Sequence, residues 1–155
     1  MSAIRRAEPR DIPAVLHLLE QVNLVHHLGR PDLFRRATKY GPHELAAIFA
    51  EERTPVFVYE ADGAILGHAF CQIEVIEQNR LLCDRKTLYV DDICVDEAAR
   101  GKGIGKALYE HVVSYARSIG CRNLTLNVWT CNPGALRFYE RMGLVPQKIG
   151  MEKIL

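Results

Sequence analysis

The chain has 155 residues, 48% of them hydrophobic and 25% charged, with a formal net charge of +1. That size predicts one domain over residues 1–155 with a core of its own, and a charge so near zero excludes bulk attraction to nucleic acid or to a membrane surface. No apolar run approaches the roughly 20 residues of a membrane span, and Met1 to Arg6 lacks the apolar stretch of a secretion signal, so a cytoplasmic protein is expected.

The first predicted element is a short strand, Ile4 to Ala7. Asp11 is placed to cap a helix that begins near Ile12 and Pro13, where a missing N–H costs nothing. Val15, Leu18, Leu19, Val22 and Val25 recur at helical spacing and predict one buried face. Gly29-Arg30-Pro31 breaks that pattern. A connection follows, and then a second helix from His43 to about Glu52. Val56 to Glu60 reads as a strand, Asp62-Gly63 as a hairpin turn with positive φ, and Ile65 to Val75 as the antiparallel partner. Residues 77–87 are polar and predict a loop, in which Leu81 and Leu82 must find cover. Leu88 to Val95 is a strong strand pattern. Ile104, Leu108, Val112, Ala116 and Ile119 form one stripe of a long helix, which Gly120 ends. Asn123 to Val128 predicts a strand parallel to the one before the helix, because a βαβ crossover is right-handed and parallel. Asn132 and Pro133 open a last helix that Gly143 ends. Val145 and Ile149 to Leu155 predict closing strands. Five cysteines form no C-x-x-C pair and no ligand spacing with histidine, so reduced thiols and no metal are expected.

The chain is organised around Arg100-Gly101-Lys102-Gly103-Ile104-Gly105-Lys106, between the strong strand and the long helix. A glycine-rich turn at a helix N-terminus offers free backbone N–H groups and the positive end of the helix dipole. Arg100, Lys102 and Lys106 add charge beside it, so the turn predicts a pyrophosphate cradle. A P-loop is excluded twice, since residue 100 is Arg where glycine is needed and residue 107 is Ala where Ser or Thr is needed. A dinucleotide fingerprint fails at Lys106, where a third glycine belongs.

Arg-x-x-Gly-x-Gly after a strand ending in Val95 resembles the acetyl-CoA signature of the GNAT superfamily of N-acetyltransferases. Asn132-Pro133 and Phe138-Tyr139-Glu140-Arg141-Met142-Gly143-Leu144 are similar to that family's C-terminal half. The specific motifs cover residues 88–145; the first third matches only in layout, which implies that the first two helices and their connection, Leu28 to Tyr40, cover the acceptor. The resemblance implies an α/β (α+β) domain with a mixed, mostly antiparallel twisted sheet, one central parallel pair, and helices on both faces. It implies that the parallel strands splay and that acetyl-CoA inserts its pantetheine arm between them. The backbone of Ile93, Cys94 and Val95 would pair with that arm, and the amides of Gly101, Lys102, Gly103, Ile104, Gly105 and Lys106 would hold the pyrophosphate. Homodimers are common among similar proteins.

Moving acetyl from a thioester to an amine needs a proton acceptor for the amine, donors for the oxyanion and an acid for the leaving thiolate. Tyr139 matches the family's general acid. Asn132 either bonds to the CoA arm or only caps its helix. Asp91 and Asp92 are the departure from a plain apolar strand, and unpaired carboxylates are costly to bury there. One of them should face the acceptor cleft as base or cation anchor, Asp91 slightly favoured by a likeness to polyamine acetyltransferases. Glu74 and Glu77 are weaker candidates. Cys94 has no histidine at local spacing and reads as an inert buried thiol. The expected activity is acetyl transfer from acetyl-CoA to a primary amine by direct attack in a ternary complex, with a small cationic acceptor favoured. Protein N-terminal or lysine acetylation, or a CoA-binding regulatory module without turnover, are the alternatives.

Overall fold

Alternation along the strands decides which helix covers which face. In the computed structural model, which describes residues 1–155, the strands are β1 (Ser2–Arg6), β2 (Val56–Ala61), β3 (Ala64–Ile76), β4 (Arg85–Val95) and β5 (Asn123–Leu126). The helices are α1 (Ile12–Gly29), α2 (Pro42–Ala50), α3 (Ile104–Ser118) and α4 (Pro133–Arg141). The strands form one sheet in the order β1-β2-β3-β4-β5. The first three neighbouring pairs are antiparallel, and β4 and β5 are parallel. On one face Phe57, Ala69, Cys71, Leu88 and Val90 pack with Ile104, Leu108, Val112 and Ala116 of α3. The residues one step out of phase, Val56, Val58 and Phe70, pack with Val15, Leu19 and Leu45 of α1 and α2. Each of the Val, Leu, Ile and Phe side chains contributes roughly 1.5–3 kcal/mol by leaving water, so two opposed apolar stripes suffice to fix the layers. The mixed sheet and the helices on both faces are as the resemblance implied.

Several boundaries differ from the sequence reading. Asp11 makes no cap to α1. Its carboxylate instead takes two bonds from the Arg5 guanidinium, at 2.8 and 3.0 Å, and one from the Glu8 amide at 2.8 Å. Burial alone would raise the Asp11 pKa, but Arg5 and the amide outweigh it and hold the group below its usual range. The loop after β3 is only 77–84, since β4 begins at Arg85. Leu81 finds no cover there and is exposed, its amide held by the Asn79 side chain. β5 stops at Leu126 rather than Val128. The expected closing strands are absent: residues 144–155 form neither helix nor strand. Val145, Ile149, Met151, Ile154 and Leu155 are exposed, so their hydrophobicity read as strand pattern without a partner to pair with. The parallel pair consequently ends the sheet, with β5 at its edge.

Candidate active site

The glycine turn projects from the end of β4. Gly101 and Gly103 both have φ of +80°, and a Cβ at either would touch nothing within 4 Å. The backbone conformation, not crowding within the protein, is what calls for glycine at these two positions. Gly103 is the N-cap of α3. The first intrahelical-type bond runs from the Ala107 amide to the Gly103 carbonyl at 3.0 Å. The six amides from Gly101 to Lys106 donate to no group of the chain. Arg100 donates from Nε to the Val95 carbonyl at 3.3 Å, which pins its guanidinium beside the turn. Lys102 has no acidic partner, and Lys106 reaches Glu110 only at 3.8 Å.

Below the turn the parallel pair opens. Its register runs from Thr87 opposite Asn123 to Val90 opposite Leu126 and stops, although β4 continues to Val95. The Asp96 amide bonds to Leu66 on the β3 side at 2.8 Å, so alternation turns the backbone of Cys94 towards β3 as well. The backbone groups of Ile93 and Val95 therefore face the gap. A groove of about 2980 Å³ follows this gap and is lined by the glycine turn, β4, β5 and α4.

The acidic pair sits where β4 bulges. Cys71 is opposite Val90 and Phe70 is opposite Asp92, which leaves Asp91 as the extra residue. A bulge cancels the alternation, so both carboxylates turn to the α1/α2 face. Asp92 lies 2.6 Å from His68 Nε2, and His68 is fully buried. His68 Nδ1, also buried, has no partner. Asp91 receives the Lys39 ammonium on both oxygens at 2.7 Å and the Tyr40 hydroxyl at 3.1 Å. Burial would lower the Lys39 pKa; the bond and charge of Asp91 outweigh it and hold the amine protonated. Lys39 and Tyr40 belong to the connection between α1 and α2, which thus lies over the acidic pair. Asn23 fastens that connection through the Arg35 carbonyl at 2.9 Å and the Ala37 amide at 2.8 Å. Phe34 stacks on His26 and meets the edge of Trp129, a residue of the groove wall. Glu74, opposite Thr87, lies farther along β3, away from the pair.

Tyr139 closes the groove from α4. Burial pushes its hydroxyl well above the usual phenol range, and the charge of Asp92 acts in the same direction. The group therefore stays protonated through neutral pH. Its neighbour Phe138 packs under the glycine turn, where even a Cβ on Gly105 would be 3.6 Å from the ring. Asn132 Oδ1 accepts from the Ala135 amide at 3.3 Å, so the helix-cap role is realised. Cys94 directs its thiol at the Leu18 carbonyl at 3.5 Å, and burial raises its pKa to about 12, which keeps it in the thiol form at neutral pH. All five cysteines are free, and no group of three or more metal-ligating side chains occurs.

A split parallel pair ending in a run of unpaired amides offers backbone hydrogen bonds to an extended ligand with an anionic end. Residues 22–144 match the model of the acetyltransferase (GNAT) family. The chain belongs to the GNAT family. Its members are acetyl-CoA-dependent acyltransferases, and this protein is an acyltransferase of that kind. Glucosamine 6-phosphate N-acetyltransferase 1 of Oryza sativa subsp. japonica is 31% identical over 151 residues, spanning 96% of this chain and 84% of that one. Streptothricin acetyltransferase of Streptomyces lavendulae is 37% identical over 94 residues, 61% of this chain and 45% of that protein. Among solved structures, a mutant of the BH1408 protein of Bacillus halodurans superposes with a TM-score of 0.95 at 31% identity, covering 99% of each chain.

Two residues of this GNAT site escaped the sequence reading. His68 sits at an inward-facing position of β3, between apolar neighbours, and a polar group there needs a partner. That signal was legible, but naming Asp92 required the bulge. Lys39 was visible only as part of a covering segment; its contact spans 52 residues of sequence.

Proposed function

We propose that the protein is a single N-acetyltransferase domain that moves acetyl from acetyl-CoA to a primary amine by direct attack in a ternary complex. The acceptor is a small molecule that binds as its ammonium. The observation that carries this reading is the run of six unpaired amides at the end of an open β4/β5 gap. Unsatisfied donors at the N-terminus of a helix favour a diphosphate, and Arg100 and Lys102 add charge. The gap-facing backbone of Ile93 and Val95 then pairs with the pantetheine amides, which aims the thioester along β4 towards Asp91, Asp92 and Tyr139.

Asp91 binds the acceptor ammonium and takes its proton, directly or through a water. The free amine attacks the thioester carbonyl carbon. The leaving thiolate takes the Tyr139 proton, which burial has kept on the phenol, and Tyr139 regains one from the new amide nitrogen by way of water. Asp92, held by His68, orients the acceptor and keeps the face negative. No covalent acetyl-enzyme is needed, in keeping with the inert Cys94. Small acceptors named for the rice and Streptomyces relatives support a small amine over a protein chain.

The test is thiol release from acetyl-CoA across amino sugars, polyamines, streptothricin-type amines and lysine peptides, with Tyr139→Phe beside the wild type. Turnover on a small amine that collapses in the variant supports the reading. Turnover on peptides alone would move the acceptor class to protein. Tight CoA binding without turnover on any amine would leave a binding module.

A further inference from the structure

Of the six lysines in the chain, only Lys39 rests on a carboxylate of the active site. Its Nζ lies 2.7 Å from both Asp91 oxygens, while the carboxylate itself is only 10% exposed. Lysine carries a primary ammonium on a flexible stem, the same functional group that a small-amine acceptor offers. The segment bearing it is fastened by Asn23 and by Tyr40, whose ring stacks on Phe70 at 5.7 Å and whose hydroxyl meets the same carboxylate. Lys39, Asp91 and Tyr139 line one continuous groove. The other lysines are placed elsewhere: Lys86 on the Ile119 carbonyl, Lys106 beside Glu110, and Lys102, Lys148 and Lys153 without a carboxylate partner.

We infer that Lys39 is an internal acceptor, and that in the absence of an amine substrate the protein transfers acetyl to its own Lys39 Nζ. The inference rests on the acetyl-CoA reading above. Asp91 takes one proton from the ammonium, and the nitrogen lone pair attacks the thioester carbonyl carbon. The C–S bond breaks, and the thiolate leaves with the Tyr139 proton. Tyr139 regains its proton from the new amide nitrogen by way of water. The products are an Nε-acetyl-lysine, CoA thiol and one proton released to solvent. A bound acceptor ammonium displaces Lys39 from Asp91, so this transfer is seen when no acceptor occupies the site. The product amide carries no charge, so the contact with Asp91 is lost. Acetylation of Lys39 therefore frees the carboxylate and loosens the covering segment.

The experiment incubates the purified full chain with excess acetyl-CoA and no amine, follows intact mass, and maps the modified peptide. One acetyl group on Lys39 is expected, with a first-order rate unchanged over a ten-fold range of protein concentration. Lys39→Arg loses this mark. Tyr139→Phe slows it at least ten-fold, while slow labelling of Lys148 and Lys153 continues at the wild-type rate. An added good acceptor suppresses it. A rate that rises with protein concentration, equal labelling in Tyr139→Phe, or no mark on Lys39 would each overturn the inference. Turnover of a small amine in the same preparation separates that result from failure of the acetyl-CoA reading, which loses both.

Discussion

The two halves of the groove are built in opposite ways. The proposed coenzyme half, from Ile93 through the glycine turn into α3, is contiguous in sequence, and the groups it offers are backbone amides. The proposed acceptor half is assembled from α1, the connection after it, β3 and β4, and the groups it offers are side chains 24 to 52 residues apart. A local turn at a strand–helix junction is fixed by φ angles and needs no distant partner. Buried charges need partners, and these come from wherever the fold brings them. The coenzyme half should therefore fail by loss of binding when its backbone is disturbed, and the acceptor half by loss of orientation or proton transfer.

The largest effect falls where the halves meet. Tyr139→Phe removes the proposed acid without changing shape, and kcat should fall about 1,000-fold, within the usual range for a general acid. The KM for acetyl-CoA should hold. Because burial raises the Tyr139 pKa, the acid form persists as pH rises, and the alkaline loss of kcat should lie above the ordinary phenol value of about 10. A pH–rate profile checks the sign: a fall near neutrality would take the acid role from Tyr139. Next comes Gly103→Val. A β-branched residue resists φ of +80°, so the turn must rearrange and its amides diverge. The KM for acetyl-CoA should rise about 100-fold, the loss of nearly 3 kcal/mol of contacts, with the circular dichroism spectrum unchanged. An unchanged affinity in a CoA titration would remove the turn from the site.

How much of this was legible follows the same division. Gly101, Gly103, Asn132 and the α3 stripe could be read locally, and each sits where the pattern put it. The aspartates were legible as a cost, two carboxylates in an apolar strand, but not as a geometry. Alternation sends neighbours to opposite faces, and only the bulge at Asp91 puts both on one. A bulge is a mismatch between two strands, so a single strand's sequence does not display it. The closing strands failed for a related reason: apolar residues at 145–155 carry propensity, whereas a strand exists only when an edge accepts it.

A smaller effect separates orientation from coenzyme binding. His68→Leu leaves Asp92 without its buried partner, and a hydrogen bond to a charged group is worth about 1.5–3 kcal/mol. The acceptor KM should rise about ten-fold, in line with the lower part of that range. The KM for acetyl-CoA should stay, and the melting temperature should fall because a part-buried carboxylate is left unpaired. A matching loss in both KM values would mean that the two halves are not separable at β4.

The smallest effect has the opposite sign. The Lys39 ammonium neutralises Asp91, and an acceptor that binds as its ammonium must displace it. About half of the Lys39 side chain is exposed, so its ion pair is screened, and such pairs are worth at most about 1 kcal/mol. Lys39→Ala should therefore lower the acceptor KM, by no more than about five-fold, and leave the KM for acetyl-CoA alone. Ionic strength gives an independent check, because salt weakens the same contact in the wild type and cannot do so in the variant. The KM advantage of Lys39→Ala should shrink as salt rises, after allowance for the direct screening of acceptor from Asp91 that both proteins share. A higher acceptor KM in Lys39→Ala would mean that this lysine binds the acceptor, by contact with an anionic group, and does not compete with it.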